Sequence, residues 1–211
     1  MAYDVQEQEQ IDAIKAWWND YGNMVVLAVI ACLVTVAAFQ GWRYYRAQQA
    51  EKAATLYTQL DQAERTNDSK KVRDIAAQLI QNYGSTHYAG MGALSAAKAS
   101  FETGELDDAR KNLQWAMEKA REEEMRDVAR LRLAGLLLDD KKHDEALKLL
   151  SAKPGEAYAA LYADLRGDVL AAQGKTADAR GAYQMALDKS DANSQYRRLV
   201  EVKLDALGEA K

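Results

Sequence analysis

From Tyr21 to Trp42 the chain carries no charged residue, and the centre of that run, Met24 to Phe39, is almost wholly apolar. As a helix rising 1.5 Å per residue it would span about 33 Å, against a hydrocarbon core of about 30 Å. The run therefore reads as a single membrane-spanning helix over 21–42. Two other readings compete with it. A buried core helix is rarely apolar on every face for this length. A cleavable signal peptide wants a short basic leader, whereas the twenty residues ahead of this run hold five acids and one base, although Val36-Ala37-Ala38 loosely resembles a cleavage site. Cys32, the single cysteine, falls inside the run and reads as a small apolar filler.

The flanks support a lipid-facing span. Trp17, Trp18 and Tyr21 stand at one end and Trp42, Tyr44 and Tyr45 at the other. Amphipathic rings favour the two membrane interfaces, and Arg43 and Arg46 are placed to reach headgroups. Residues 1–20 form an acidic amphipathic segment: Ile11, Ile14, Trp18 and Tyr21 recur at helical spacing with Trp17 beside them, while Glu7, Glu9, Asp12 and Lys15 take the other face. Such a segment suits the membrane surface or a protein partner, and its acidity favours the protein. The basic residues Arg43, Arg46 and Lys52 follow the span while only Lys15 precedes it, which by the positive-inside rule points weakly to a cytoplasmic main domain.

The remainder, residues 43–211, is predicted to be all-α. Alanine occurs 39 times and proline once, at Pro154, a balance that excludes an all-β or collagen-like chain. Acids and bases cancel after residue 43, so no segment has the basic excess of a nucleic-acid binder. Ala47 to Arg65 continues the membrane helix, and Thr66-Asn67-Asp68-Ser69 is a turn. Beyond it the chain repeats: Gly104, Lys141 and Gly174 sit at turns; Ala109, Ala146 and Ala179 follow five residues later; Leu113, Leu150 and Tyr183 follow four after those. The alanines are 37 and 33 residues apart, and counting back a further 33 reaches Ala76. Each unit reads as two helices joined by a left-handed turn, the alanine permitting close approach and the bulky residue filling the groove toward the next pair. One pair cannot bury its apolar face alone, so neighbours stack. Ala192 to Leu207, with Leu199, Val202, Leu204 and Leu207, reads as a capping helix.

No chemistry assembles on this frame. Gly174-Lys175-Thr176 resembles the end of a phosphate loop, but Val169 stands where that loop needs glycine. His87 and His143 lack metal-ligand spacing. Glu122-Glu123-Glu124 reads as a solvated helix start. No catalytic residue, metal site or cofactor is expected.

The spacing resembles the tetratricopeptide repeat, in degenerate form: Gly167, with Ala97 and Ala134, falls on the small first-helix position, Lys153 replaces a later alanine, and the usual Trp and terminal Pro are missing. The resemblance implies a solenoid of about three to four helix pairs plus the cap. It also implies a partner-binding groove lined by the first helices: Met91, Leu94, Lys98 and Phe101; Val128, Leu131 and Leu138; Leu161, Asp164 and Asp168. Ordinary inter-helix packing explains the apolar members equally well. The order of parts, with Ile11-Asp-Ala-Ile-Lys-Ala-Trp-Trp18, Gly41-Trp-Arg-Tyr-Tyr45 and Tyr162-Ala-Asp-Leu-Arg-Gly-Asp168, resembles the bacterial YfgM family over the full length. That resemblance implies a single-pass inner-membrane protein with a cytoplasmic N-terminus and a periplasmic repeat domain. It further implies a non-enzymatic scaffold at the SecYEG translocon, linked to a PpiD-like periplasmic chaperone. The charge bias around the span supports a different expectation, a membrane-tethered regulator that sequesters a cytoplasmic signalling protein.

Overall fold

The structure, a computed structural model, describes the backbone of residues 2–192 and 194–208, with side chains from Glu9 onward within those ranges. The described residues form nine α-helices and one 3-10 turn, with no strand among them. The helices are α1 (Ala2–Arg65), α2 (Ser69–Tyr83), α3 (His87–Glu102), α4 (Leu106–Lys119), α5 (Glu123–Asp139), α6 (His143–Leu150), α7 (Ala159–Ala172), α8 (Thr176–Lys189) and α9 (Gln195–Ala206). They fall into two units, Met1–Gln49 and Ala50–Lys211.

The first unit is helical throughout its described residues, and α1, which continues into the second unit, is the one helix among the described residues long and apolar enough to cross a membrane. The apolar window of that helix is 6% buried, so no element of the described chain covers it as a core would. The hydroxyl of Thr35 donates to the Ala31 carbonyl at 2.8 Å, which satisfies that polar group inside the helix itself. The described residues ahead of the span belong to the same uninterrupted helix.

The second unit is a stack of four helix pairs closed by a ninth helix: the end of α1 with α2, α3 with α4, α5 with α6, and α7 with α8. One turn geometry joins every pair. Asn67, Gly104, Lys141 and Gly174 all have positive φ, at 53°, 79°, 60° and 74°. The residue after each donates its N–H back across the turn, Asp68 to Ala63, Glu105 to Ser100, Lys142 to Leu137 and Lys175 to Leu170, at 2.8–2.9 Å. This is the glycine-type helix stop, which satisfies otherwise orphaned carbonyls. Gly174-Lys175-Thr176 is one of these turns.

The turns correct the expected register of the first pair. Asn67 lies 37 residues before Gly104, so the counterpart of Ala109 is Val72 and not Ala76. The 33-residue count slipped by one helical turn, because Val72 and Ala76 share a buried face of α2. In the true register, Leu60 stands where the later pairs have Ala97, Ala134 and Gly167. Ala76 stands where they have Leu113, Leu150 and Tyr183. Large and small have exchanged sides. At Gly167 the approach is so close that a Cβ would sit 2.4 Å from Tyr183 Cε1. The bulky residue thus closes on the first helix of its own pair, not only toward the next pair.

Between pairs, an arginine on three of the four second helices braces the following turn. Arg73 donates to Thr103 Oγ1 at 3.1 Å and pairs with Glu105 at 3.0 Å; Arg110 pairs with Asp140; Arg180 donates to the Gly208 carbonyl. Leu147 takes this place in α6, and Gln173 reaches back to Asp144 instead, at 2.9 Å. Lys153 lies beyond the short α6, so it replaces no helical alanine. The loop that follows is held by Asp127, 2% exposed, which accepts from the Gly155 N–H at 2.8 Å and from Tyr162 Oη at 3.2 Å, with Arg130 alongside at 2.9 Å.

Gly208 repeats the turn once more, with φ 73°, so α9 is in register as a further first helix. Its buried residue is Val200, while Leu199 and Val202, expected in the cap's packing, are exposed. The position of Ala97, Ala134 and Gly167 is here Glu201, paired with Arg197 at 3.1 Å and exposed.

Two glycines in equivalent helices should respond oppositely to alanine. In Gly167→Ala the new methyl meets an aromatic ring, and a loss of about 2 kcal/mol is expected. In Gly135→Ala nothing lies within 4 Å of the new atom, so helix propensity should raise stability by up to about 1 kcal/mol. Denaturant titration of both variants, followed by circular dichroism, checks the pair.

A candidate docking groove on the first helices

The first helices α3 and α5 open a cavity of about 290 Å³ between them, floored by α4. Ala97, Ala109, Leu113 and Leu136 form its apolar floor, and Phe101, 52% exposed, forms one wall. Lys98 reaches it from α3; Arg132, Gly135 and Asp139 reach it from α5. A smaller, polar cavity of about 110 Å³ adjoins it on the other side of Lys98, with Glu64, Ser95 and Glu102 among its walls.

Equivalent positions in the last pair are closed. Gly167, Asp168 and Tyr183 hold the places of Ala97, Lys98 and Leu113, and Leu199, Val202 and Lys203 those of Arg132, Gly135 and Leu136. There the ammonium of Lys203 donates to Asp164 at 2.9 and 3.0 Å and to Asp168 at 2.8 Å, and lies 5.9 Å from the centre of the Tyr183 ring. Tyr183 Oη also donates to Asp168, at 2.8 Å. Burial pulls the Lys203 ammonium down, but hydrogen bonds to Asp168 and Asp164 outweigh it and the net shift is upward. Burial, then the neighbouring carboxylates, push the Tyr183 phenol up; burial and Asp164 do the same for Tyr196. Tyr162 is raised to about 12, chiefly by burial, with Arg130 opposing and Asp127 adding to the rise.

The expected groove residues therefore separate into three groups. Lys98 and Phe101 meet in the open cavity. Leu94, Leu131 and Leu138 are partly buried and pack against the central core cluster, while Met91, Val128 and Leu161 are also half-buried. Asp164 is buried, and it and Asp168 are held by Lys203, so neither offers a free carboxylate. Sequence reasoning missed Arg132, Gly135 and Asp139. The repeat spacing could have found Gly135, which is the counterpart of Lys98 one 37-residue unit later. In the first unit, Trp17, Trp18, Tyr21, Trp42, Tyr44 and Tyr45 are exposed at the two ends of the apolar run. The guanidinium of Arg46 lies 5.1 Å from the Trp42 ring and that of Arg43 5.9 Å from the Phe39 ring. His87 Nδ1 meets Glu122 at 3.0 Å.

A tetratricopeptide repeat-like domain model matches residues 15–209. A Neisseria gonorrhoeae protein named ancillary SecYEG translocon subunit is 30% identical over 212 residues, covering 98% of this chain and all of that protein. The chain belongs to the YfgM family. Proteins of the same name from Haemophilus influenzae and Escherichia coli are 28% and 29% identical, covering 98% and 95% of this chain and 100% and 96% of theirs. No solved structure matches. The structure gives a physical account of one YfgM-like segment. In Tyr162–Asp168, Tyr162 closes the Asp127 cluster, Asp164 and Asp168 hold the cap through Lys203, and Gly167 admits Tyr183.

Lys203→Met leaves Asp164 buried without its cation and should cost about 3 kcal/mol. For Lys203, Tyr183, Tyr196 and Tyr162 the folded pKa lies above the unfolded one. Their stabilisation is complete below the unfolded values near 10 and is lost as pH rises through the folded ones. Stability should therefore begin to fall only above about pH 10, and phenolate absorbance should show the delayed tyrosines ionising as the domain unfolds.

Proposed function

We propose that the chain is a membrane-anchored scaffold of the Sec translocon, with no catalytic role of its own. Its N-terminal segment would lie in the cytoplasm, its single helix would cross the inner membrane, and its repeat domain would work in the periplasm. There it would hold a PpiD-type chaperone near the channel exit and assist the handling of emerging secreted proteins. The observation that carries this reading is that relatives named ancillary SecYEG translocon subunits align across both the apolar helix and the repeats, over nearly their whole length. Anchoring supplies high effective concentration, so weak contacts in the groove suffice.

The bases Arg43, Arg46 and Lys52 after the span favour the second reading, a tethered regulator that sequesters a cytoplasmic signalling protein. Long translocated domains escape the charge rule, which is why the first reading stands ahead.

Alkaline phosphatase fused after Lys211 should be active in intact cells; an inactive fusion would leave the second reading. A photocrosslinker at Leu33, on the exposed apolar helix, should give adducts with channel subunits, and one at Phe101 should give adducts with a periplasmic chaperone.

A further inference from the structure

We infer that the cavity between α3, α4 and α5 is a docking subsite for an acidic segment of a partner protein. One large apolar side chain enters the cavity, and Lys98 and Arg132 take a carboxylate beside it. The inference rests on the reading of the repeat domain as a partner-holding scaffold and names the chemistry of its ligand.

The repeat-equivalent places differ along the stack: one unit earlier Ser95 and Lys98 stand where Arg132 and Gly135 stand here, Glu64 and Glu102 stand where Phe101 and Asp139 do, and the cavity is the smaller, polar one of about 110 Å³. The equivalent place at the end of the stack is filled, since Tyr183 there is larger than Leu113 and Lys203 lies across it, tied to Asp164 and Asp168. Between α3 and α5 the corresponding second-helix residue is Leu113, and Gly135 leaves its position without a side chain, with nothing within 4 Å of where a Cβ would be. The cavity, about 290 Å³ and open to solvent on one side, has room for one aromatic or leucine side chain. Phe101 offers a half-exposed ring to whatever enters.

Charge selects the occupant. Lys98 and Arg132 reach the cavity from opposite helices, and Asp139 is the one acid among its lining residues. Arg132 is exposed and makes no ion pair among the described residues, and the contact of Lys98 with Glu102 is loose at 3.9 Å. Two cations so placed around an apolar floor, against one lining acid, match a carboxylate next to an apolar anchor.

The test uses the full chain in nanodiscs and fluorescein-labelled ten-residue peptides centred on Phe-Asp-Asp, read by fluorescence anisotropy. The parent peptide should bind, and replacing its Phe by Ala, or its two Asp by Lys, should weaken binding at least tenfold. Gly135→Leu should fill the cavity and abolish binding while melting no lower than the parent chain. Lys98→Glu and Arg132→Glu, both at exposed positions, should each weaken binding tenfold and keep the fold if the leucine variant does not. Added salt should weaken the parent complex. Absence of binding by the Phe-Asp-Asp peptide, equal binding by the Phe→Ala or Asp→Lys peptides, or equal binding by the three variants overturns the inference. Adducts from Leu33 to the channel are independent of the cavity, so their presence beside a silent cavity separates failure of this subsite from failure of the scaffold reading.

Discussion

Each helix pair of the repeat domain turns on one contact, where two helices approach so closely that only one of the facing residues can be large. Four pairs meet this constraint in different ways. Leu60 faces the side that carries Ala76, Ala97 and Ala134 accompany Leu113 and Leu150, and Gly167 yields wholly to Tyr183. The interior is close-packed, so volume added on one helix must be removed from the other. The left-handed turns at Asn67, Gly104, Lys141 and Gly174 hold the paired helices in the register that this contact needs.

The same partition of volume governs the groove. Where the second helix contributes Leu113 and the next first helix contributes Gly135, a cavity stays open. Where the second helix contributes Tyr183, the ring and Lys203 fill the place, and the carboxylates of Asp164 and Asp168 are held by the cap. Open space along the stack thus follows from side-chain sizes in the core, largest where they leave most room.

Local signals carried much of this into view. The apolar run, the turn residues at Gly104, Lys141 and Gly174, and the small position at Gly167 are covalent or short-range features, and the structure reproduces the helices they imply. The first pair was harder. Val72 and Ala76 lie one turn apart on the same buried face, so helical periodicity alone accepts either register, and only the turn at Asn67 decides between them. In α9 the expected Leu204 and Leu207 pack against the core beside Val200, while Leu199 and Val202 are exposed: an apolar stripe marks a face but not its neighbour.

The amino-acid order by itself determined that the chain is helical, that one segment suits a bilayer, and that the rest comes in stacked pairs. These follow from propensity, length and spacing, each readable within a few dozen residues. Tertiary structure alone decided which groove residues stay available. Asp164 and Asp168 meet Lys203 across 39 and 35 positions of sequence, Arg73 and Arg110 each reach a turn about one unit away, and Arg132 comes to face Lys98 across a common cavity. Such pairings depend on how far each pair advances along the stack, a quantity set by the packed side chains together and by no single stretch of chain.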